Sequence, residues 1–214
     1  VALVLIDLDG TLISGPTCEG TLLLRLVRER LLGARQVVSG VTFFFRWAPS
    51  YGPGVWKRNK GYLNGLSVGI VEHEARRLVE DSLARRIRPF MRRRLAWHRV
   101  RNHTLVLLSG APDFLARPMA ERLGIPHCVA TVCAQAAGRF TAEPPEVHPV
   151  GPEKLRIAQE LCHRFGCSLD DCTAYADSFS DAALLERVGK PVPVNPDRSL
   201  SRMARRAGWA IATD

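Results

Sequence analysis

Lysine is nearly missing from this chain. Of 30 cationic residues, only Lys57, Lys60, Lys154 and Lys190 are lysines, so a lysine at any special position stands out against an arginine background. Long hydrophobic runs are also missing. Nothing approaches the roughly 18–20 apolar residues needed to cross a bilayer, and no charged n-region with an apolar h-region precedes the first apolar run. A cytoplasmic protein is expected. The six cysteines, Cys18, Cys128, Cys133, Cys162, Cys167 and Cys172, contain no CxxC pair, which excludes the common zinc frameworks. Their spacing is expected to point them in different directions as buried, reduced thiols. The six histidines form no HxH, HExxH or HxxxH pattern, so a histidine metal site is unsupported. Aromatic residues are sparse at 7%, and many of them fall between Phe43 and Trp56.

What is present is concentrated in four short segments, each beside an apolar run. Val1-Ala2-Leu3-Val4-Leu5-Ile6 reads as a strand buried on both faces and delivers Asp7-Leu8-Asp9-Gly10-Thr11 at its C-terminal edge. Open parallel sheets bind ligands in the crevice outside those edges. Thr104 to Leu108 is a second such run, ending in Ser109-Gly110-Ala111-Pro112-Asp113. That pattern reads as a strand, a tight turn and a helix start, where Ser109 serves as a cap, a phosphate ligand or both. Lys154 follows Gly151-Pro152-Glu153 and opens a helix whose apolar face is Leu155, Ile157, Ala158 and Leu161. A compact ammonium suits a phosphoryl oxygen as a point charge. Cys172 to Ala176 is a fourth run, delivering Asp177 and Asp181. Two carboxylates at that spacing can converge on a hard cation such as Mg²⁺, and Asp181 also suits a helix N-cap or first turn.

In this order the four segments resemble the haloacid dehalogenase superfamily, most closely its phosphoserine-phosphatase-like branch. The resemblance covers nearly the whole chain, including the close at Val192 to Asp197 and Gly208-Trp209. It implies a Mg²⁺-dependent phosphomonoester hydrolase working through an aspartyl-phosphate. Asp7 would be the nucleophile and Asp9 the acid and base. Ser109, Gly110 and Lys154 would bind the phosphoryl group, Asp7, the Asp9 carbonyl and Asp177 would hold the metal, and Asp181 would support the metal's shell. A phosphotransferase would use the same residues with an alcohol as acceptor.

The fold expected is a doubly wound α/β core with parallel strands near 1–7, 104–109, 172–177 and 190–194. A further strand and a hairpin around Gly138 are expected within 125–143. Residues 1–14 and 89–214 would form the core, and 15–88 an inserted helical cap. Within the cap, residues 21–32 read as an amphipathic helix ended by Gly33, and 72–83 as a second helix. The aromatics from Phe43 to Trp56 are expected to form the cap's own core. Relatives acting on phosphoserine carry a cap acid soon after the first motif, but here none occurs before Glu19. Glu19 and Arg58 are the candidate contacts to the leaving group.

A net charge of +9 suits an anionic partner. The arginine runs at 85–94 and 202–206 read as solvated faces, so a small phosphorylated metabolite is the expected partner and nucleic acid is not. A basic module resting on a membrane surface through the Phe43 to Trp56 segment is the lesser alternative.

Overall fold

The computed structural model describes residues 2–214; Val1, included above in the first strand, lies outside the described residues. Strand β1 (Leu3–Ile6) is buried along its whole length, and its side chains divide between two cores. Val4 and Ile6 face one, Leu3 and Leu5 the other. An unbroken apolar run is what such a central strand requires, because neither face meets water.

After β1 come helices α1 (Cys18–Arg28), α2 (Ala34–Tyr51), α3 (Val55–Arg58) and α4 (Val68–Asp81), then α5 (Pro89–Val100) and strand β2 (Thr104–Pro112). Helix α6 (Asp113–Arg122) and β3 (His127–Thr131) follow, and then a short hairpin of β4 (Gln135–Ala136) and β5 (Arg139–Phe140). The chain continues through α7 (Pro152–Phe165), β6 (Thr173–Ala176), α8 (Ala182–Leu185), β7 (Lys190–Pro193) and α9 (Arg198–Ala207). Five strands form one parallel sheet in the order β3-β2-β1-β6-β7. Residues of α1, α4, α5 and α6 pack on the face of Val4 and Ile6, and those of α7, α8 and α9 on the face of Leu3 and Leu5. The result is the doubly wound α/β sandwich expected from the sequence. Because β1 pairs with β2 on one side and β6 on the other, the order reverses between β1 and β6, and a crevice opens there.

Several boundaries differ from the sequence reading. Helix α1 begins at Cys18 because Thr17 caps it, its hydroxyl accepting from the Gly20 amide. It ends at Arg28, where Arg30 adopts φ 57° and turns the chain; Gly33 instead precedes α2. Helix α4 starts and ends earlier than 72–83. The hairpin at Gly138 forms as expected, and its edge meets the segment before α4: Gly65 donates to Phe140 O and Val68 to Gly138 O. The aromatic segment is not simply a core. Phe43 is buried, but Phe45 and Trp56 stand in solvent at 74% and 69% exposure. Among the described residues no helix is long and apolar enough to cross a membrane.

Candidate active site

The strand ends place the four motifs around one crevice of about 340 Å³. Asp7 leaves β1 with its amide donating to Tyr175 O at 3.0 Å, which ties the end of β1 to β6. Lys154, in the first turn of α7, reaches across the edge of the sheet. Its ammonium donates to Asp7 Oδ1 and to Asp181 Oδ2, both at 2.7 Å. Asp181 begins α8 as an N-cap by backbone, yet its carboxylate makes no cap hydrogen bond and is held by Lys154. Asp177, just beyond β6, accepts from Thr11 Oγ1 at 3.2 Å. Ser109 and Gly110 line the same crevice from the last part of β2, and the Ser109 hydroxyl accepts from the Ala111 amide.

Gly10 explains how closely the two acidic segments approach. Its φ is +76°, and a Cβ built there would lie 2.0 Å from Asp177 Oδ2. Only glycine meets both demands.

Asp9 is oriented by the start of α1. The Cys18 amide donates to its Oδ1 at 2.7 Å and the Cys18 thiol to its Oδ2 at 3.2 Å. Burial nevertheless raises the Asp9 carboxyl above its usual range, outweighing those hydrogen bonds. Burial likewise pushes Asp7 up to about 7 and Asp177 up to about 6. Lys154 shows the opposite balance: burial alone would lower it, but the Asp181 and Asp7 carboxylates hold the ammonium above its ordinary range. Four carboxylates thus meet one ammonium in a poorly solvated site. The donors are all oxygens and carry surplus negative charge, a set that fits a hard divalent cation and offers a soft one nothing.

Away from the four motifs the crevice is lined by Thr17, Glu19, Lys57, Lys60 and His148. Glu19, a candidate from the sequence, is here but already engaged: Lys60 Nζ donates to its two oxygens at 2.6 and 2.7 Å and Tyr62 OH donates at 2.8 Å. Arg58 is placed elsewhere, its guanidinium 4.8 Å from the centre of the Tyr51 ring and outside the crevice lining. Lys57 and Lys60 are the cations of this segment that line the crevice. Nothing local in the sequence marks Lys60 as buried; its scarcity as a lysine was the one available signal.

His148 was also missed. The Thr131 hydroxyl donates to Gly110 O at 2.7 Å and its oxygen lies 3.1 Å from His148 Nδ1. With the hydroxyl proton committed, Nδ1 carries the ring hydrogen and Nε2 the lone pair. Nε2 is buried with no partner among the described residues. Burial, aided by Lys60, Arg58 and Lys57, lowers this histidine to about 3, so it stays neutral.

The cysteines require a correction. They are free, as expected, but three of them converge instead of pointing apart. Cys162, Cys167 and Cys172 bring their sulfurs within 4.8 Å of one another, with Cys162 and Cys172 at 3.3 Å. Gly166 in the left-handed region ends α7, and the turn at Leu169–Asp171 brings the chain back. This cluster lies at the far end of α7 from Lys154.

A family model described as haloacid dehalogenase-like hydrolase matches residues 4–186. The "Inhibition of morphological differentiation protein" of Streptomyces azureus is 34% identical over 160 residues, covering 72% of this chain and 57% of its own length. Phosphoserine phosphatase SerB1 of Mycobacterium tuberculosis is 31% identical over 150 residues, covering 70% and 49%. The chain therefore spans about half the length of the curated relatives it matches. Among solved structures, a protein of unknown function from Bordetella pertussis aligns with a TM-score of 0.70 at 21% identity, covering 98% of this chain and 97% of that one. A phosphoserine phosphatase in apo form aligns at 0.67 with 17% identity, covering 99% and 92%. At those identities the likeness is one of fold, whereas the family match runs through all four acidic and basic motifs. This chain belongs to the haloacid dehalogenase-like hydrolase family.

Proposed function

We propose that this chain is a Mg²⁺-dependent phosphomonoesterase that acts on a small phosphorylated metabolite through an aspartyl-phosphate on Asp7. The observation that carries the reading is the bridge from Lys154 to Asp7 and Asp181 at 2.7 Å, beside Asp177 at the same edge of the sheet. An ammonium fixed next to a nucleophilic carboxylate is the arrangement that lets a phosphate approach it.

Asp7 would attack phosphorus in line, forming an O–P bond as the bond to the leaving oxygen breaks. Asp9, oriented by the Cys18 amide at the start of α1, would give a proton to that oxygen. In the second step Asp9 takes a proton from water, which attacks phosphorus and frees Asp7. Ser109, the Gly110 region and Lys154 would hold the phosphoryl oxygens, and such positioning with charge stabilisation carries most of the rate in this chemistry. Asp7, the Asp9 carbonyl and Asp177 are the residues that would hold Mg²⁺. When bound, the cation offsets the repulsion between a carboxylate and a phosphate dianion.

The relatives include a protein named phosphoserine phosphatase. Here, however, Glu19 is neutralised by Lys60, so an amino-acid ammonium would have to compete with a buried lysine. This argues for a leaving group without an ammonium. The test is phosphate release across a phosphometabolite panel with and without Mg²⁺, for the parent and Asp7→Asn, with alcohol acceptors added in parallel. Metal-dependent release that is absent in Asp7→Asn is the expected result. Release that survives in Asp7→Asn refutes the nucleophile assignment, and phosphorylated acceptor in place of free phosphate identifies a transferase.

A further inference from the structure

Helix α2 leaves one apolar stripe in solvent. A helix on the surface of a globular protein turns its apolar stripe inward and its polar residues to water. In α2, Val37, Val41 and Phe45, spaced four apart, and the adjoining Val38 are exposed at 68%, 52%, 74% and 59%. Its buried side holds Phe43 together with the polar Gln36 and Ser39. Gln36 donates to Asn64 O at 2.8 Å, Asn64 donates to Ser39 Oγ at 2.7 Å, and Asn59 donates to Gly40 O at 2.8 Å. Those polar contacts fix the rotation of the helix, so the valines cannot turn inward without breaking them. Trp56 extends the apolar surface, its ring 4.4 Å from Phe44 and 69% exposed.

The charge carried by this segment itself has one sign, and Glu143 from beyond β5 is paired with one of its arginines. From Arg30 to Val71 the sequence contains no aspartate or glutamate, while Arg30, Arg35, Arg46, Lys57, Arg58 and Lys60 fall within it. Arg30, Arg35, Arg46 and Lys57 are exposed. Arg46 reaches Glu143 across the surface at 3.1 Å, a contact open to solvent on both sides. Lys60 is buried on Glu19, and Arg58 is half-buried on Tyr51.

We propose that this face, Val37, Val38, Val41 and Phe45 with Trp56, is a docking surface for an anionic lipid bilayer. Aliphatic and aromatic side chains flanked by cations match the boundary between acyl chains and anionic headgroups. A second copy of the chain is a poorer partner, because a two-fold interface sets each surface against itself and would bring these cations together. Nucleic acid would use the cations but leave the valines uncovered. A shallow groove lined by Leu23, Trp56, Lys57 and Tyr62 runs from this surface, and it shares Thr17, Glu19, Lys57 and Lys60 with the reaction crevice. Docking would therefore set the mouth of the crevice beside the bilayer. The proposal stands apart from the phosphatase reading, since it rests on residues that mechanism does not use.

The test is sedimentation with vesicles of phosphatidylcholine alone and with one quarter phosphatidylglycerol, at low and high salt. Binding to the mixed vesicles, weakened by salt, is expected. Val41→Asp combined with Phe45→Ser should lower partitioning at least about tenfold, because both remove apolar surface from the contact. Both positions are exposed, so circular dichroism and hydrolysis of a water-soluble phosphomonoester should match the parent. Val37→Gln, two turns away from Phe45, provides a milder second variant. No binding to the mixed vesicles overturns the proposal, as does equal binding to both compositions or unchanged binding by the variants. A dimer seen by light scattering that the double variant abolishes would assign the face to a second copy instead.

Discussion

Replacing Lys154 by methionine isolates the electrostatics of the site from its shape. The side chain is 4% exposed, and its ammonium is the cation between Asp7, 12% exposed, and Asp181, 5% exposed. Methionine fills similar space but leaves two buried carboxylates without that cation. Breaking a buried pair in this way costs about 3–5 kcal/mol. An independent bound agrees: Asp7 is already raised to about 7 beside the ammonium, so the bound counts one newly stranded carboxyl, whose proton at pH 7 costs about 1.36 kcal/mol for each unit above the reference value near 3.9, or roughly 4 kcal/mol. For a chain of this size 1 kcal/mol moves Tm by about 2–4 °C, so Lys154→Met should melt roughly 6–20 °C below the parent in EDTA at pH 7. The sign with pH follows from the same proton. In the variant the folded carboxyl pKa lies above the unfolded one, so the deficit is small below about pH 4 and grows as pH rises. At pH 5 the bound falls to about 1.5 kcal/mol. Thermal unfolding by circular dichroism at the two pH values measures this directly. A variant melting within about 2 °C of the parent at pH 7, or one with a larger deficit at pH 5 than at pH 7, would refute the buried-bridge argument.

Other outcomes follow from single contacts. Gly10→Ala places a Cβ 2.0 Å from Asp177 Oδ2 at a φ of +76°; it should lower phosphate release by about 10²-fold or more, with a weaker Mg²⁺ dependence, as read from steady-state rates over a Mg²⁺ titration. Chelation by EDTA should abolish release and Mg²⁺ should restore it, and release that persists after exhaustive chelation would remove the metal from the proposal. Glu19→Gln leaves Lys60 buried with a neutral partner, so a lower Tm and a changed KM ranking over the substrate panel are expected; an unchanged ranking would show that the Glu19–Lys60 pair does not read the leaving group. His98 is bonded through Nε2 to Tyr175 OH, and burial first, then Arg94, lowers it to about 4. Its folded pKa lies below the unfolded value near 6.5, so its contribution is complete above that pH and fades as pH falls toward 4. His98→Gln should flatten the stability profile across that window, as measured by urea midpoints.

The core of the site was legible because Asp7 and Asp177 sit directly after apolar runs, with Asp9 and Asp181 a few positions on. A buried strand followed by aspartate is a local pattern, and parallel pairing then brings the separate patterns to one edge. Lys60 and His148 were not legible in this way. Lys60 owes its burial to Glu19, 41 positions earlier, and His148 owes its tautomer to Thr131, itself fixed by Gly110. The cysteine spacing misled for a related reason: periodicity assumes one continuous element, whereas a left-handed Gly166 and a tight turn separate Cys162 from Cys172. The aromatic segment was read correctly at Phe43 and not at Phe45 and Trp56, because composition does not say which side of α2 faces inward; Phe43 and the Gln36–Asn64–Ser39 contacts do. Helix ends shifted where a non-glycine residue, Arg30, took the left-handed conformation that Gly33 was expected to supply.

The position of β1 also bears on how the chain reaches its native state. This strand pairs with partners about a hundred residues away on one side, Leu3 with Thr104, and farther still on the other, Val4 with Thr173. Neither contact is available to a nascent or collapsing chain until long loops have closed, a condition associated with slow folding on the millisecond to second scale. Thr11 meets Asp177 across 166 positions and Lys154 meets Asp7 across 147. The crevice therefore cannot be assembled piecemeal by one hairpin or helix pair. Helical signal on dilution from denaturant should return ahead of hydrolytic activity, and that lag would time the closure of the sheet around its first strand.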